Sequence, residues 1–246
     1  MNIASHTQIG TLAALALAGL GTPASAVGLA RDDESATREY IFTYLVLDEP
    51  EKLSKAEMDD AMVGHFNNIT RMAESGELLI AGPLADPRID ERYRGIYVFS
   101  TGDIEQGKTT VRTDPSVQAG VFKAEMYVIS CDEPLKRLTF LEEAYTNRRL
   151  SDPEIPDEWV GRMYTLAIGP HGAKFTHDDT VLIDATMDRI DDDSDEDAPR
   201  QLIWLDAESV ADAKSKFKAD DLDAWSFYGW YGTPCVAELR EEMKED

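Results

Sequence analysis

The histidine at position 65 is the side chain in this sequence best placed to do chemistry. It lies in a stretch whose apolar residues recur every three or four positions, the spacing of one helical face. These residues are Met58, Ala61, Met62, Phe66, Ile69, Met72 and Ala73. His65 falls on the same face. If that face is buried, its imidazole requires a hydrogen-bond partner or has a functional role. Because free imidazole titrates near neutral pH, it is suited to general acid–base catalysis.

The pattern leaves two interpretations of His65 open. It is either a proton-transfer residue or a buried structural histidine that hydrogen-bonds a carboxylate or a backbone carbonyl. The sequence contains no Gly-x-Ser-x-Gly motif, no phosphate-binding glycine loop and no dinucleotide fingerprint. It therefore indicates no cofactor and no competing catalytic centre.

Two polar segments have metal-binding residue types without a metal-binding spacing. His171 and the run 177–179 (His-Asp-Asp) match no standard ligand motif, and we interpret them as solvated loop residues. The acidic run 191–197 alternates carboxylates as calcium loops do, but it lacks the glycine and closing glutamate of an EF-hand. An acidic hairpin tip is the better interpretation, and we expect no metal site in either segment.

Five aromatic residues near the end of the chain are a further candidate, either as the lining of an apolar pocket for an aromatic ligand or as core. They are Trp204, Trp225, Tyr228, Trp230 and Tyr231. Their strand-like spacing favours the core.

The composition excludes several classes of partner. The chain has 246 residues, 43% of them hydrophobic, which is typical of a globular protein with a substantial core. Its 48 acidic residues against 24 basic ones give a net charge of −24. Nucleic acids and anionic membrane surfaces would repel such a chain, so we expect neither as a partner.

The first 26 residues have the pattern of a signal peptide. Thr11 to Leu20 is an apolar run of suitable length, and Ala24-Ser25-Ala26 is a small-x-small cleavage site. The pattern predicts cleavage near Ala26, a periplasmic or secreted protein and no membrane insertion afterwards. Because the first ten residues lack Lys and Arg, a cytoplasmic location is the alternative.

The interpretation of the two cysteines, Cys131 and Cys235, depends on whether the protein is exported. An oxidising compartment would permit them to form one disulfide. Two isolated cysteines far apart in sequence are otherwise plain buried thiols, which is the interpretation we favour.

Hydrophobic patterning from residue 38 to 131 predicts the order β-α-β-β-α-β. The predicted elements are strands at 39–47, 78–81, 95–100 and 121–129, a long helix from a capping box at Ser54–Glu57, and a helix at 104–113. This is a ferredoxin-like, split βαβ arrangement, an α+β fold with two helices on one face of four antiparallel strands.

Residues 159–240 repeat the pattern after a linker at 132–158 that holds a short helix near 135–150. Only Gly169 to Thr180 separates the first two strands of this repeat, so we predict that its first helix is missing. A tandem repeat of this kind predicts that the two open sheet faces pack on each other within one chain, as a pseudo-dimer.

The run from His65 through Gly76-Glu-Leu-Leu-Ile-Ala-Gly-Pro83, followed by Asp114-Pro-Ser-Val-Gln-Ala-Gly120, resembles the YCII-related (YciI-like) family. The resemblance covers roughly residues 38–131 and implies a dimeric α+β barrel. It also implies a catalytic pair, which falls by motif position on His65 and Asp114. The second half departs from the family pattern, since it lacks an equivalent of His65 and its Asp220 has no following proline.

The resemblance implies a small-molecule site in the barrel between the two repeats. His65 and Asp114 would transfer protons there on a small organic acid or lactone, in a lyase, isomerase or hydrolase type of reaction. The alternative is a non-catalytic small-molecule-binding or accessory module on the same fold. Either protein would be a monomeric pseudo-dimer or a homodimer.

Overall fold

The computed structural model describes residues 37–152, 160–176, 180–190 and 199–242. In the first half the elements are β1 (Arg38–Leu47), α1 (Lys55–Glu74), β2 (Leu78–Pro83), β3 (Tyr93–Phe99), α2 (Ile104–Val111), α3 (Pro115–Gln118), β4 (Phe122–Cys131) and α4 (Arg137–Ser151). In the second half they are β5 (Arg162–Pro170), β6 (Phe175–Thr176), β7 (Val181–Arg189), β8 (Arg200–Leu205), α5 (Val210–Lys216), β9 (Lys218–Ala219), β10 (Ser226–Gly232) and α6 (Cys235–Glu242).

Eight of these strands form one antiparallel sheet in the order β10-β5-β8-β7-β4-β1-β3-β2. The two edge strands approach each other where Leu84 bridges Trp230 and the Ala85 amide donates to the Gly229 carbonyl at 2.8 Å. The sheet is therefore a nearly closed barrel. With six α-helices in the described residues, the fold is of the mixed α+β class.

Helix α1 begins and ends as its sequence predicts. The Ser54 hydroxyl accepts from the Glu57 amide, and the Glu57 carboxylate accepts from the Ser54 amide at 2.8 Å, which completes the predicted capping box. Gly76 follows the last turn with a φ of 71°, a conformation that glycine adopts without steric cost. The buried face of α1 consists of Ala61, His65, Asn68 and Met72.

Side chains of the barrel strands alternate between two hydrophobic clusters. The interior cluster fills the barrel, and its largest fully buried members are Tyr40, Phe42, Tyr164, Trp204 and Trp230. The outer cluster packs beneath α1, and its members include Ile41, Leu45, Tyr97, Phe99 and Phe122 of the strands with Ala61 and Met72 of the helix. A third cluster around Phe217 and Trp225 covers the outer face of the second half.

Helices α4 and α6 close one end of the barrel. Their residues Leu138, Leu141 and Leu239 belong to the interior cluster, and the Leu135 amide donates to the Tyr40 hydroxyl at 3.0 Å. These residues of the 132–158 segment are therefore packed against the core, and α4 corresponds to the short helix that the sequence predicted near residues 135–150. Helix α6 was not predicted at all, and no helix closes the opposite end in the described residues.

In the second half, four of the predicted strands are present as β5, β7, β8 and β10. The described residues between β5 and β7 form a turn and the two-residue strand β6. Cys131 and Cys235 are buried free thiols. Among the described residues, no helix combines the length and apolar character needed to cross a membrane.

Candidate functional site

His65 and Asp114 are brought together by the packing of α1 against α3. Asp114 is the N-cap of α3, with Pro115 at the first helical position. The Nδ1 atom of His65 lies 2.8 Å from Oδ2 of Asp114. His65 is 6% exposed and Asp114 is fully buried, so the pair forms an enclosed hydrogen bond.

Every oxygen of Asp114 has a partner. Oδ2 also accepts from the Tyr97 hydroxyl at 2.8 Å, while Oδ1 accepts from the Ser116 amide at 2.9 Å and from the Ser116 hydroxyl at 2.7 Å. Burial by itself would raise the pKa of Asp114. The hydrogen bond and the charge of His65 lower this pKa, as do the hydrogen bonds from Ser116 and Tyr97, and together they hold it below its ordinary value. Asp114 is therefore ionised at neutral pH.

The hydrogen bonds also determine the form of the imidazole. An ionised carboxylate can only accept, so Nδ1 of His65 carries the proton and donates it to Asp114. The hydroxyls of Tyr97 and Ser116 both lie 3.1 Å from the same nitrogen. Nε2 forms no hydrogen bond with the described part of the chain. This nitrogen is also not fully buried. Nε2 is therefore the ring nitrogen that is left to exchange a proton with a bound molecule.

Two packing features hold this geometry. A Cβ atom on Gly64 would lie 2.8 Å from the Pro115 ring, so glycine is needed for the close approach of α1 to α3. One turn after His65, the Asn68 side chain donates to the Thr113 hydroxyl at 3.2 Å, and Arg71 donates to the same hydroxyl. Both contacts fix α1 beside the loop that carries Asp114.

The structure separates this pair from the interior of the barrel. His65 contacts Tyr97 and Phe122 of the outer cluster, with ring centroids 6.0 Å and 5.8 Å away. Tyr97 is paired across the sheet with Thr43, whereas Tyr44 points to the opposite face. The predicted placement of His65 and Asp114 in a site between the two repeats is therefore wrong, because the pair lies outside the barrel wall.

The other candidate residues do not assemble into a second centre. His171 is exposed, and the run 177–179, the acidic run 191–197 and the signal-peptide pattern of 1–26 all lie outside the described residues. Within those residues, no group of three or more His, Cys, Asp or Glu side chains is arranged to hold a metal ion.

The five aromatic candidates also separate. Trp204 and Trp230 are fully buried in the interior cluster, and Trp225 packs in the third cluster outside the barrel. Tyr231 is 37% exposed, and Tyr228 lines a cavity at one end of the barrel. They do not form one pocket.

Tyr97 and Ser116 are the site residues that sequence reasoning missed. Ser116 could have been predicted from the sequence Asp-Pro-Ser. In this pattern the aspartate is the N-cap of a helix, the proline occupies the first helical position, and the serine amide donates to the aspartate side chain. Tyr97 had none, since residues 95–99 are all buried and show no alternation that would assign a face. Burial and the neighbouring Asp114 carboxylate raise the pKa of Tyr97 well above its usual range, so its hydroxyl stays a donor.

The lowered pKa of Asp114 predicts an acid-sensitive contribution to stability. A carboxyl group whose folded pKa is depressed stabilises the fold above its unfolded pKa of about 3.9, and this contribution is lost as the pH falls through the folded value. We expect the wild type to be more stable than Asp114→Asn near neutral pH, with a difference that shrinks as the pH falls below about 4. Urea unfolding at several pH values measures it, with the exposed Asp60→Asn as a charge-matched control. A difference that is independent of pH would contradict the assignment.

Comparisons of this chain with protein-family models, curated proteins and solved structures found no match.

Proposed function

We propose that this protein is an enzyme in which His65 acts as a general base and acid toward a small organic acid or lactone. The observation that supports this is the hydrogen bond between His65 Nδ1 and a buried, ionised Asp114, with Nε2 left unpartnered. A histidine held in one tautomer by a carboxylate, with its second nitrogen facing outward, is arranged for proton transfer.

In the proposed reaction, Nε2 removes a proton from a carbon next to the substrate carbonyl. The electron pair of the broken C–H bond moves onto the carbonyl oxygen as an enolate forms. The resulting imidazolium is stabilised by Asp114, and Nε2 returns the proton to either face of the same carbon as the carbonyl re-forms. The structure contributes a fixed base, and the change it would support is an isomerisation at the carbon next to the carbonyl.

We also propose that the chain is a YCII-like protein built from two ferredoxin-like repeats. Support comes from the strand order, since β4-β1-β3-β2 in the first half corresponds to β10-β5-β8-β7 in the second. Along the chain, α2 precedes β4 in the first half, and α5 precedes β10 in the second half. On this proposal the chain is a pseudo-dimer with one complete site, because α1 has no counterpart in the described residues of the second half.

His65→Gln tests the catalytic role directly. We expect the wild type to exchange C–H hydrogen for deuterium in D2O with at least one member of a panel of small lactones and 2-oxo acids. Because general acid–base catalysis contributes about 10²- to 10⁴-fold, the variant should lose at least about 10²-fold of that rate. Proton NMR measures the exchange, and His171→Gln, which changes an exposed histidine, serves as the matched control.

The same experiment separates the catalytic proposal from a non-catalytic binding module. Exchange that persists in His65→Gln would contradict the role of His65. Binding of a panel member without any exchange by the wild type would favour the binding module.

A further inference from the structure

Four tyrosines surround a cavity at the open end of the barrel, away from the site of His65. Its volume is about 330 Å³, at the small end of the range for ligand pockets. The residues that define it are Tyr44, Tyr93, Tyr127, Tyr228, Met187 and Arg200. These come from six strands whose other ends lie toward α4 and α6, so the cavity is the part of the interior that no described helix fills.

The Tyr44 hydroxyl is a buried donor without an acceptor. Tyr44 is 4% exposed, and its hydroxyl has no hydrogen-bond partner in the described part of the chain. Burial, followed by the neighbouring hydroxyls of Tyr228, Tyr127 and Tyr93, raises the pKa of Tyr44 well above its usual range. The hydroxyl thus keeps its proton. An unsatisfied buried hydroxyl is costly, and an acceptor at this position would remove the cost.

Arg200 is the charged side chain among the described residues that line the cavity, and its charge favours an anion. Arg200 lies close enough to act electrostatically on both Tyr44 and Tyr228. The nearby carboxylate of Glu125 is already engaged, since it accepts from the Tyr93 hydroxyl at 2.7 Å and lies 4.0 Å from the Lys123 ammonium. The lining of the cavity thus combines a guanidinium and a phenolic donor with aromatic rings and the Met187 side chain, and these groups match a carboxylate attached to a planar apolar body.

We propose that the open end of the barrel binds a small aromatic or unsaturated carboxylate, with Tyr44 and Arg200 as the donors to the carboxylate group. Arg200 is exposed and Tyr228 is partly exposed, so both side chains have room to move when a ligand enters the cavity. The site lies on the opposite face of the sheet from His65. It stands independently of the proposed catalytic function.

Titration with benzoate, followed by calorimetry and by the ring signals of the tyrosines in NMR spectra, tests the proposal. We expect the wild type to bind benzoate and to bind the neutral analogue benzamide much more weakly. Tyr44→Phe and Arg200→Gln should each weaken benzoate about tenfold or more, since each loses a hydrogen bond to a charged group. Tyr231→Phe, which changes an outward-facing tyrosine of the same strand as Tyr228, and His65→Gln should bind benzoate as the wild type does.

Unfolding measurements on the same variants show whether a loss of benzoate binding is caused by a loss of folded structure. Because Tyr44→Phe removes an unsatisfied hydroxyl, it should be at least as stable as the wild type while binding benzoate less well. Absence of benzoate binding by the wild type would overturn the proposal. Equal affinity of the wild type and Tyr44→Phe would overturn it as well, and loss of binding in His65→Gln would place the ligand at the other site.

Discussion

Asp114→Asn is expected to reduce proton transfer at His65 by about 10⁴-fold, the scale seen when the carboxylate of a catalytic triad is replaced by its amide. Oδ1 would still accept from Ser116, so the amide group of asparagine would replace Oδ2 and donate to Nδ1 of His65. The imidazole would then carry its proton on Nε2 and could not act as a base. Deuterium exchange into the substrate panel measures the loss.

The control for this substitution is Asp60→Asn, which removes the same charge from an exposed position on α1. Far-UV circular dichroism of both variants verifies that the fold is kept. Exchange rates that are equal in the wild type and Asp114→Asn would show that the carboxylate has no part in the chemistry.

Gly82→Ala is expected to have a large effect on stability, because it adds a methyl group at the seam between β2 and β10. A Cβ atom at this position would lie 2.1 Å from the backbone carbonyl oxygen of Tyr231 and 2.8 Å from the Trp230 indole nitrogen. A backbone atom cannot rotate away, so β2 and β10 would have to separate. We expect a loss of about 3 kcal/mol in the free energy of unfolding, at the upper end of the range for overpacking.

Gly229→Ala is the matched control, because Gly229 lies on the other side of the same seam. Its added Cβ would meet the side chains of Ala85 and Met163, both at 3.2 Å, and that of Val210 at 3.9 Å. The terminal methyl of Met163 can rotate away, and the Ala85 contact needs a shift of only a few tenths of an ångström, so the change should cost less than about 1 kcal/mol. Urea unfolding compares the two variants, and a similar cost for both would contradict the closure of the barrel at Gly82.

Local signals predicted much of the secondary structure. The capping box at Ser54, the terminal Gly76 and the alternating or branched strand segments each depend on a few neighbouring residues, and the structure contains the corresponding elements. Helix α3 was not predicted because it has only four residues. Helix α6 was not predicted because it is a short helix of eight residues after the last strand. Such short elements are stabilised by tertiary packing more than by propensity.

The faces of the strands could not be predicted. In β1 and β3, residues 40–46 and 95–99 are buried on both sides, so the period-two alternation that assigns a face is missing. For this reason the sequence did not reveal that Tyr97 points toward His65 while Tyr44 points into the barrel. The proximity of His65 to Asp114 was likewise expected from the family resemblance and not from any local pattern, because 49 residues separate them.

The central claim is that Nε2 of His65 is an accessible base held in place by Asp114. Carbethoxylation by diethyl pyrocarbonate, located by peptide mass mapping of the folded protein, tests it without knowledge of the substrate, since the reagent acylates an unprotonated imidazole nitrogen. We expect His65 to react in the folded wild type, more slowly than the exposed His171, and to react far more slowly in Asp114→Asn. A folded wild type in which His171 is modified and His65 reacts only after unfolding would contradict the claim and assign His65 a purely structural role.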